Sequence, residues 1–189
     1  MEKEKIDMIS EAIDTIQADD IKEFAWMLAE DLPEYIWHVG ASSTGKYHPA
    51  YSLGEGGLMR HMIATLNILN DLMTLEMFKF DEREKDLLRV AALFHDGLKC
   101  GTQKGFEANK FTKHEHPMLM GRKVMSYEGK CKLKAEELKV VANAIASHMG
   151  QWNTSNRSEV VLPKPRYAYQ KIIHMADFLA SRKNITVEV

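Results

Sequence analysis

The chain has 189 residues, with 25 lysines and arginines against 27 aspartates and glutamates, a formal charge of -2. At 45% hydrophobic and 28% charged, it is not a disordered segment. Nor does its charge suit coating nucleic acid or anionic membrane in bulk. That length suits a single domain: an N-terminal helical extension over 1–37, a pocket loop over 38–57 and a helical core over 58–182.

Ile6, Ile9, Ile13 and Ile16 recur at helical steps, so the spacing predicts an amphipathic helix over 3–18. Its isoleucine stripe suits either the chain's own core or a second copy, a homo-oligomer. A short helix over 20–29, with Ile21, Phe24 and Leu28 inward, ends before Pro33. Residues 38–57 read as an ordered loop rich in glycine and hydroxyls. Leu58, Met62, Leu66, Leu69 and Met73 make the stripe of a third helix, and Asp81 caps a fourth with Leu87, Leu88, Ala91 and Phe94 inward.

The next stretch, GLKCGTQKGFEANKFTKHEH, has little periodicity. Loops of that length in a compact domain are usually functional. Pro117 opens a fifth helix to about Tyr127, residues 134–149 form a sixth, and 166–182 the last. Only 159–162 hints at a strand. The fold class is all-α, a single helical bundle.

Cys100 and Cys131 belong to no CxxC pair and read as reduced thiols. The charged start, MEKEKIDMIS, lacks the apolar centre of a signal peptide. No apolar run approaches the roughly 20 residues that span a bilayer. The expected setting is the cytoplasm, without membrane partners.

Eight histidines are the more pointed feature. His61 follows Leu58 by three residues, His95 follows Ala91 by four, His148 follows Ile145 by three, and Asp177 follows Ile173 by four. Separate helices thus aim imidazoles and a carboxylate inward, and buried charges need partners or a metal. Nitrogen and oxygen donors suit Mn, Fe, Co, Ni or Zn, with Mg a further option.

The order His61, His95-Asp96, His116, His148, Asp177, set in GGLMRHM, HDGLK, HEHP, SHMGQW and HMADFLASR, resembles the HD-domain superfamily of metal-dependent phosphohydrolases. The resemblance covers roughly residues 40–182. It implies that His61, His95, Asp96 and Asp177 hold one divalent metal, and that Asp96 bridges to a second on His116 and His148. Two such metals share a hydroxide nucleophile and clamp a phosphoryl group. Asp96 and Lys99 would then be the catalytic residues, Lys99 meeting a phosphate oxygen. In this chain a glycine, Gly97, directly follows the doublet, where many members carry it one position later.

His114 competes with His116 as a ligand, and His174 is either an orienting partner or a surface residue. The lysines of the 97–116 stretch, Lys104, Lys110 and Lys113, favour an anionic substrate if they converge. SSTGKYHP is no Walker loop, but its Lys46 and His48 lead into the first ligand and would line a substrate pocket. Trp152, close after His148, would stack on a base.

The expected activity is hydrolysis of a phosphate ester, with a nucleotide-like small molecule as the expected substrate. The alternatives are a single-strand 3'-5' exonuclease or phosphodiesterase acting on short nucleic acid, and a di-iron oxygenase using the same ligands. A module in which metal only stabilises the helices is a third reading.

Overall fold

A computed structural model describes residues 3–42, 45–108 and 110–187, with side chains from Ile6 onward. Ser43 and Thr44 of the expected pocket loop lie outside the described residues. The elements in chain order are α1 Lys3–Asp14, α2 Asp19–Glu30, α3 Gly57–Leu72, α4 Glu82–Phe94, α5 Gln103–Ala108, α6 His116–Met125, α7 Ala135–Ala146 and α8 Ala168–Ala180. Single 3-10 turns occupy Glu34–Trp37 and Ala50–Ser52. The described residues contain no strand; the 153–162 segment is instead tied by Asn153 Nδ2 donating to the Leu162 carbonyl at 3.1 Å. No helix is long and apolar enough to cross a membrane among the described residues.

Three of the four isoleucines of the first stripe pack into the chain's own core. Ile9, Ile13 and Ile16 are each at most 1% exposed, and Ile21, Phe24 and Leu28 of α2 are fully buried. Each such side chain stabilises the fold by roughly 1.5–3 kcal/mol. Ile6, the first residue of the stripe, is 40% exposed.

The first helix ends at Asp14, short of the expected residue 18. Thr15 Oγ1 donates back to the Ala12 carbonyl at 2.7 Å. The next free amides turn to Asp86 of α4, whose buried carboxylate accepts from Gln17 N at 3.1 Å and Ala18 N at 2.8 Å. Arg89 Nη1 completes the arrangement at 2.6 Å from Asp86. One carboxylate thus closes the turn between α1 and α2 and fastens it to α4.

Asp81 caps α4 as its position predicts, in a reciprocal box with Glu84 at 2.8 and 2.9 Å. The expected loop after the His-Asp doublet includes α5, six residues held by Phe106 stacking on Tyr35 at 4.5 Å. The sixth expected helix, α7, stops at Ala146, three residues early. There Ser147 Oγ donates to the Asn143 carbonyl at 2.8 Å and the chain turns. The last helix starts and ends two residues inside its expected limits.

The core is made where α3, α4, α7 and α8 pack on one another, with α6 along α7 and α2 along α4. The first turn of α3, the ends of α4 and α7, the start of α6 and the middle of α8 meet at one place.

Candidate metal centre

Every residue of the expected ligand set reaches that meeting point. His61, His95, Asp96, His116 and His148 are each at most 2% exposed. Asp177 is also there, with a side chain 19% exposed. Asp96 sits centrally: Oδ1 is 2.8 Å from His116 Nε2 and 3.6 Å from His148 Nε2, while Oδ2 is 3.6 Å from His95 Nε2 and 3.8 Å from His61 Nε2. Asp177 Oδ1 lies 3.1 Å from His61 Nε2 and 3.6 Å from His95 Nε2.

Backbone carbonyls decide which nitrogens face inward as lone pairs. The Nδ1 atoms of His95, His116 and His148 lie 2.8, 2.6 and 2.8 Å from the carbonyls of Ala92, Lys113 and Ile145. A carbonyl only accepts, so each Nδ1 carries a proton and each ring turns its Nε2 toward the carboxylates. In the neutral ring that nitrogen is a lone pair facing carboxylate oxygens. His61 Nδ1, His95 Nε2 and Asp96 Oδ1 are buried without a hydrogen-bond partner, the last despite its short but unaligned approach to His116.

Buried lone pairs with no donor are costly, and a cation removes the cost. Two triads bring donor atoms within 4.8 Å of one another: His61, His95 and Asp177, and His95, Asp96 and His148. This all-nitrogen-and-oxygen set fits one or more divalent transition ions. Neither free cysteine belongs to it.

The electrostatics obey the same geometry. Burial pushes the Asp96 carboxyl up, but Lys99, His95 and His116 outweigh it and hold it well below the usual range. Asp177 is likewise held low by His61 and His95 against burial. Burial, reinforced by His95, drops His148 to about 3, and burial also lowers His61. His95 is raised because Asp96 and Asp177 overcome its burial.

Of the competing histidines, His116 is inside and His114 is not: His114 Nε2 lies 3.1 Å from the Val160 carbonyl. His174 Nδ1 donates to the His148 carbonyl at 2.7 Å, so it props the turn that carries a ligand. Gly150 in that turn has φ +56°, and a Cβ there would lie 2.1 Å from the His174 ring. Gly97 also has a packing reason, since a Cβ would come within 2.7 Å of Leu32 and 3.3 Å of Met120 Sδ. Tyr35 fixes the backbone just beyond Lys99, its hydroxyl donating to the Gly101 carbonyl at 2.7 Å and accepting from Cys100 N at 3.0 Å.

A cavity of about 580 Å³ opens onto Asp96, His148 and Asp177. Lys99 and His48 line it. Lys99 Nζ is hydrogen-bonded to Asp96 Oδ2, and half-buried His48 is lowered to about 4 by burial and by His61. Trp152 contributes a wall and stacks on Phe178, with ring centroids 5.7 Å apart.

Lys46 is not on that wall; its Nζ lies over the Tyr47 ring, 5.1 Å from the centroid. Tyr47 lines the cavity in its stead, together with Met149, Phe178, Ser181 and Arg182. Sequence reasoning passed over these, although Phe178 and Arg182 stand beside and just beyond Asp177 on α8.

The loop carrying Tyr47 and His48 is anchored by Arg60, which donates to the carbonyls of Tyr51, Leu53 and Glu55 at 2.6, 3.1 and 2.9 Å. Lys104, Lys110 and Lys113 do not line this cavity. Lys113 instead lines a neighbouring polar hollow of about 420 Å³ with Arg157, a hollow that shares Met149 with the first.

Comparison with curated proteins and with solved structures gave no match. The family model for the HD domain matches residues 58–182, from the start of α3 to just past α8, and so takes in every residue of the cluster. The chain belongs to the HD domain family, whose superfamily consists mostly of metal-dependent phosphohydrolases.

Proposed function

We propose that the protein is a metal-dependent hydrolase that cleaves a phosphate ester of a nucleotide, using two divalent transition ions. One observation carries the reading: carbonyl-fixed imidazoles turn their Nε2 atoms onto Asp96 at the floor of an aromatic-walled cavity that also holds a lysine. His61, His95, Asp96 and Asp177 would hold one ion, and Asp96, His116 and His148 the other. Bound there, such ions supply an activated water and Lewis-acid polarisation of the phosphoryl group.

The chain's own residues do the rest. Lys99, resting on Asp96, is placed to meet a phosphate oxygen and to offset the charge that develops on it. His48, neutral at pH 7, offers a hydrogen bond to the substrate from the opposite loop. The Trp152–Phe178 stack gives a nucleobase an apolar face. Lys99 favours hydrolysis over oxygen activation, because a cation on the cavity wall serves an anionic substrate. The polar hollow beside Met149 is specific ground for the diesterase alternative, since it offers space to a second half of the substrate.

The test is metal content of the purified protein together with a release screen. Nucleoside mono- and triphosphates, cyclic nucleotides and short single strands are assayed with Mn, Co, Fe, Ni, Zn or Mg. About two ions per chain with turnover of one class supports the reading. Two ions and oxygen uptake without phosphoester cleavage would replace it with the oxygenase. No metal under any condition would leave the histidines structural.

A further inference from the structure

The cavity holds a guanidinium that the proposed chemistry does not use. Arg182 lies just past the end of α8, five residues beyond Asp177. Its Cζ sits 4.4 Å from the centroid of the Phe178 ring and 5.8 Å from that of Tyr47. Two aromatic faces thus hold the planar group on the cavity wall, and Tyr51 fixes the Tyr47 loop to the end of α8 by donating to the Ala180 carbonyl at 2.8 Å.

Among the described residues, its hydrogen bond goes to Ser181 Oγ, from Nη2 at 2.9 Å. Its Nε is buried and has no acceptor. That atom is out of reach of a ligand, but the terminal nitrogens stand on the cavity wall with Ser181 Oγ as their one hydrogen-bond partner among the described residues, and they can meet an acceptor that arrives from outside. Among the residues lining the cavity, the carboxylates are Asp96 and Asp177, both engaged at the histidine cluster.

We propose that Arg182 binds a second phosphate of the substrate, one carried beyond the phosphate that reaches the histidine–aspartate cluster. This rests on the phosphohydrolase reading and sharpens it to a substrate class with two phosphates. A rigid guanidinium fork suits a phosphate's oxygens, and aromatic faces on the wall keep the fork oriented. The two cations of the wall have separate seats, Lys99 on Asp96 and Arg182 on the Phe178 and Tyr47 rings. The second phosphate is either joined directly to the first, as in a nucleoside polyphosphate, or carried across a nucleoside, as at the 5' end of a short strand.

The experiment is calorimetric binding, with Mn2+ present, to wild type, Arg182→Gln and Arg182→Lys. The probes are a nucleoside 5'-monophosphate, the methylene-bridged 5'-triphosphate analogue, and a 5'-phosphorylated, phosphorothioate-linked dinucleotide. For one of the two-phosphate probes, Arg182→Gln lowers the affinity relative to the monophosphate by about tenfold. Arg182→Lys, which keeps charge but not the fork, loses less.

The responding probe identifies where the second phosphate is attached. Unchanged affinity ratios for both probes would overturn the assignment, as would a ratio that falls as much in Arg182→Lys as in Arg182→Gln. Binding needs no turnover, so absence of hydrolysis in the wild type would count against the phosphohydrolase reading and not against this one.

Discussion

The Nε2 atoms of His116 and His148 lie 3.3 Å apart, and both are turned toward Asp96 Oδ1. Each has committed its Nδ1 hydrogen to a carbonyl, of Lys113 and of Ile145. Two ring nitrogens at that separation, with a carboxylate oxygen before them, are a donor set that a cation would suit. An ion bound there would tie the N-terminus of α6 to the end of α7.

Metal content separates the two halves of the cluster. Asp96→Ala loses both ions, because its oxygens face every histidine of the set. His116→Ala keeps the His61–His95–Asp177 triad and loses about half of the bound metal. Elemental analysis of the purified variants reads both outcomes, and unchanged content in both would refute the ligand assignment. Saturating metal at about 100 times its Kd adds about 2.7 kcal/mol of stability. For a chain of this length that is a rise of roughly 5–10 °C in Tm, lost on chelation.

Lys99 is distinguished from the ligands by what it leaves intact. Lys99→Met removes a cation from Asp96 without removing a donor to metal. The expected result is unchanged metal content with kcat reduced about 100-fold, the scale of losing one charge-stabilising group. A parallel fall in metal content would mean that Lys99 organises the ligands rather than the substrate.

Gly150→Ala tests the prop behind His148. It forces a left-handed backbone on a residue with a side chain and drives Cβ into the His174 ring. Together these cost about 2–4 kcal/mol, read from urea midpoints. Adding His174→Ala removes the clash but not the backbone strain, so the double variant recovers only part of the loss. Full recovery would show that the φ angle carries no penalty.

Acid sensitivity is expected away from the cavity, where Arg83 of α4 ties α2 to α7. Its guanidinium reaches Asp20 at 2.7 Å and Glu137 at 2.5 Å, and these hydrogen bonds hold both carboxyls below their ordinary values. Unfolded, they titrate near 3.9 and 4.3, about the model-peptide values. Their contribution is therefore complete above that range and lost as pH falls through the lower folded values. Arg83 is 43% exposed, so Arg83→Met costs no more than about 1 kcal/mol at pH 7. The difference from wild type narrows towards zero as acid protonates both partners; a difference that persists at pH 2 would point to lost packing instead.

The cluster was legible in the sequence because periodicity places His61, His95, His148 and Asp177 on inward faces and the spacing keeps one family's order. His116 and His114 were not separable there. Both precede Pro117 at the mouth of a helix, and only the bond from His116 Nδ1 to Lys113 O shows which ring turns in.

The cavity walls were less legible for a different reason. Tyr47, Phe178 and Arg182 become neighbours only when the loop before α3 is pinned to the end of α8, a contact between residues 51 and 180. Helix limits failed where side chains compete with the helix for backbone groups, as Thr15, Ser147 and Asp86 do. In α5, six residues containing Gly105 show no periodicity, and the helix owes its place to an aromatic partner some 70 positions earlier in the chain.

The family match begins at residue 58, yet the turn that carries Lys99 is held by Tyr35, and Leu32 covers Gly97. A fragment trimmed to the matched boundary would keep all six metal-facing residues and lose their scaffolding. It would expose the apolar face of α4 and strip Asp86 of the two amide donors that meet it beside Arg89. Anyone transplanting this centre into another protein has to move the first 57 residues with it, because here the amino-terminal helices belong to the site's foundation.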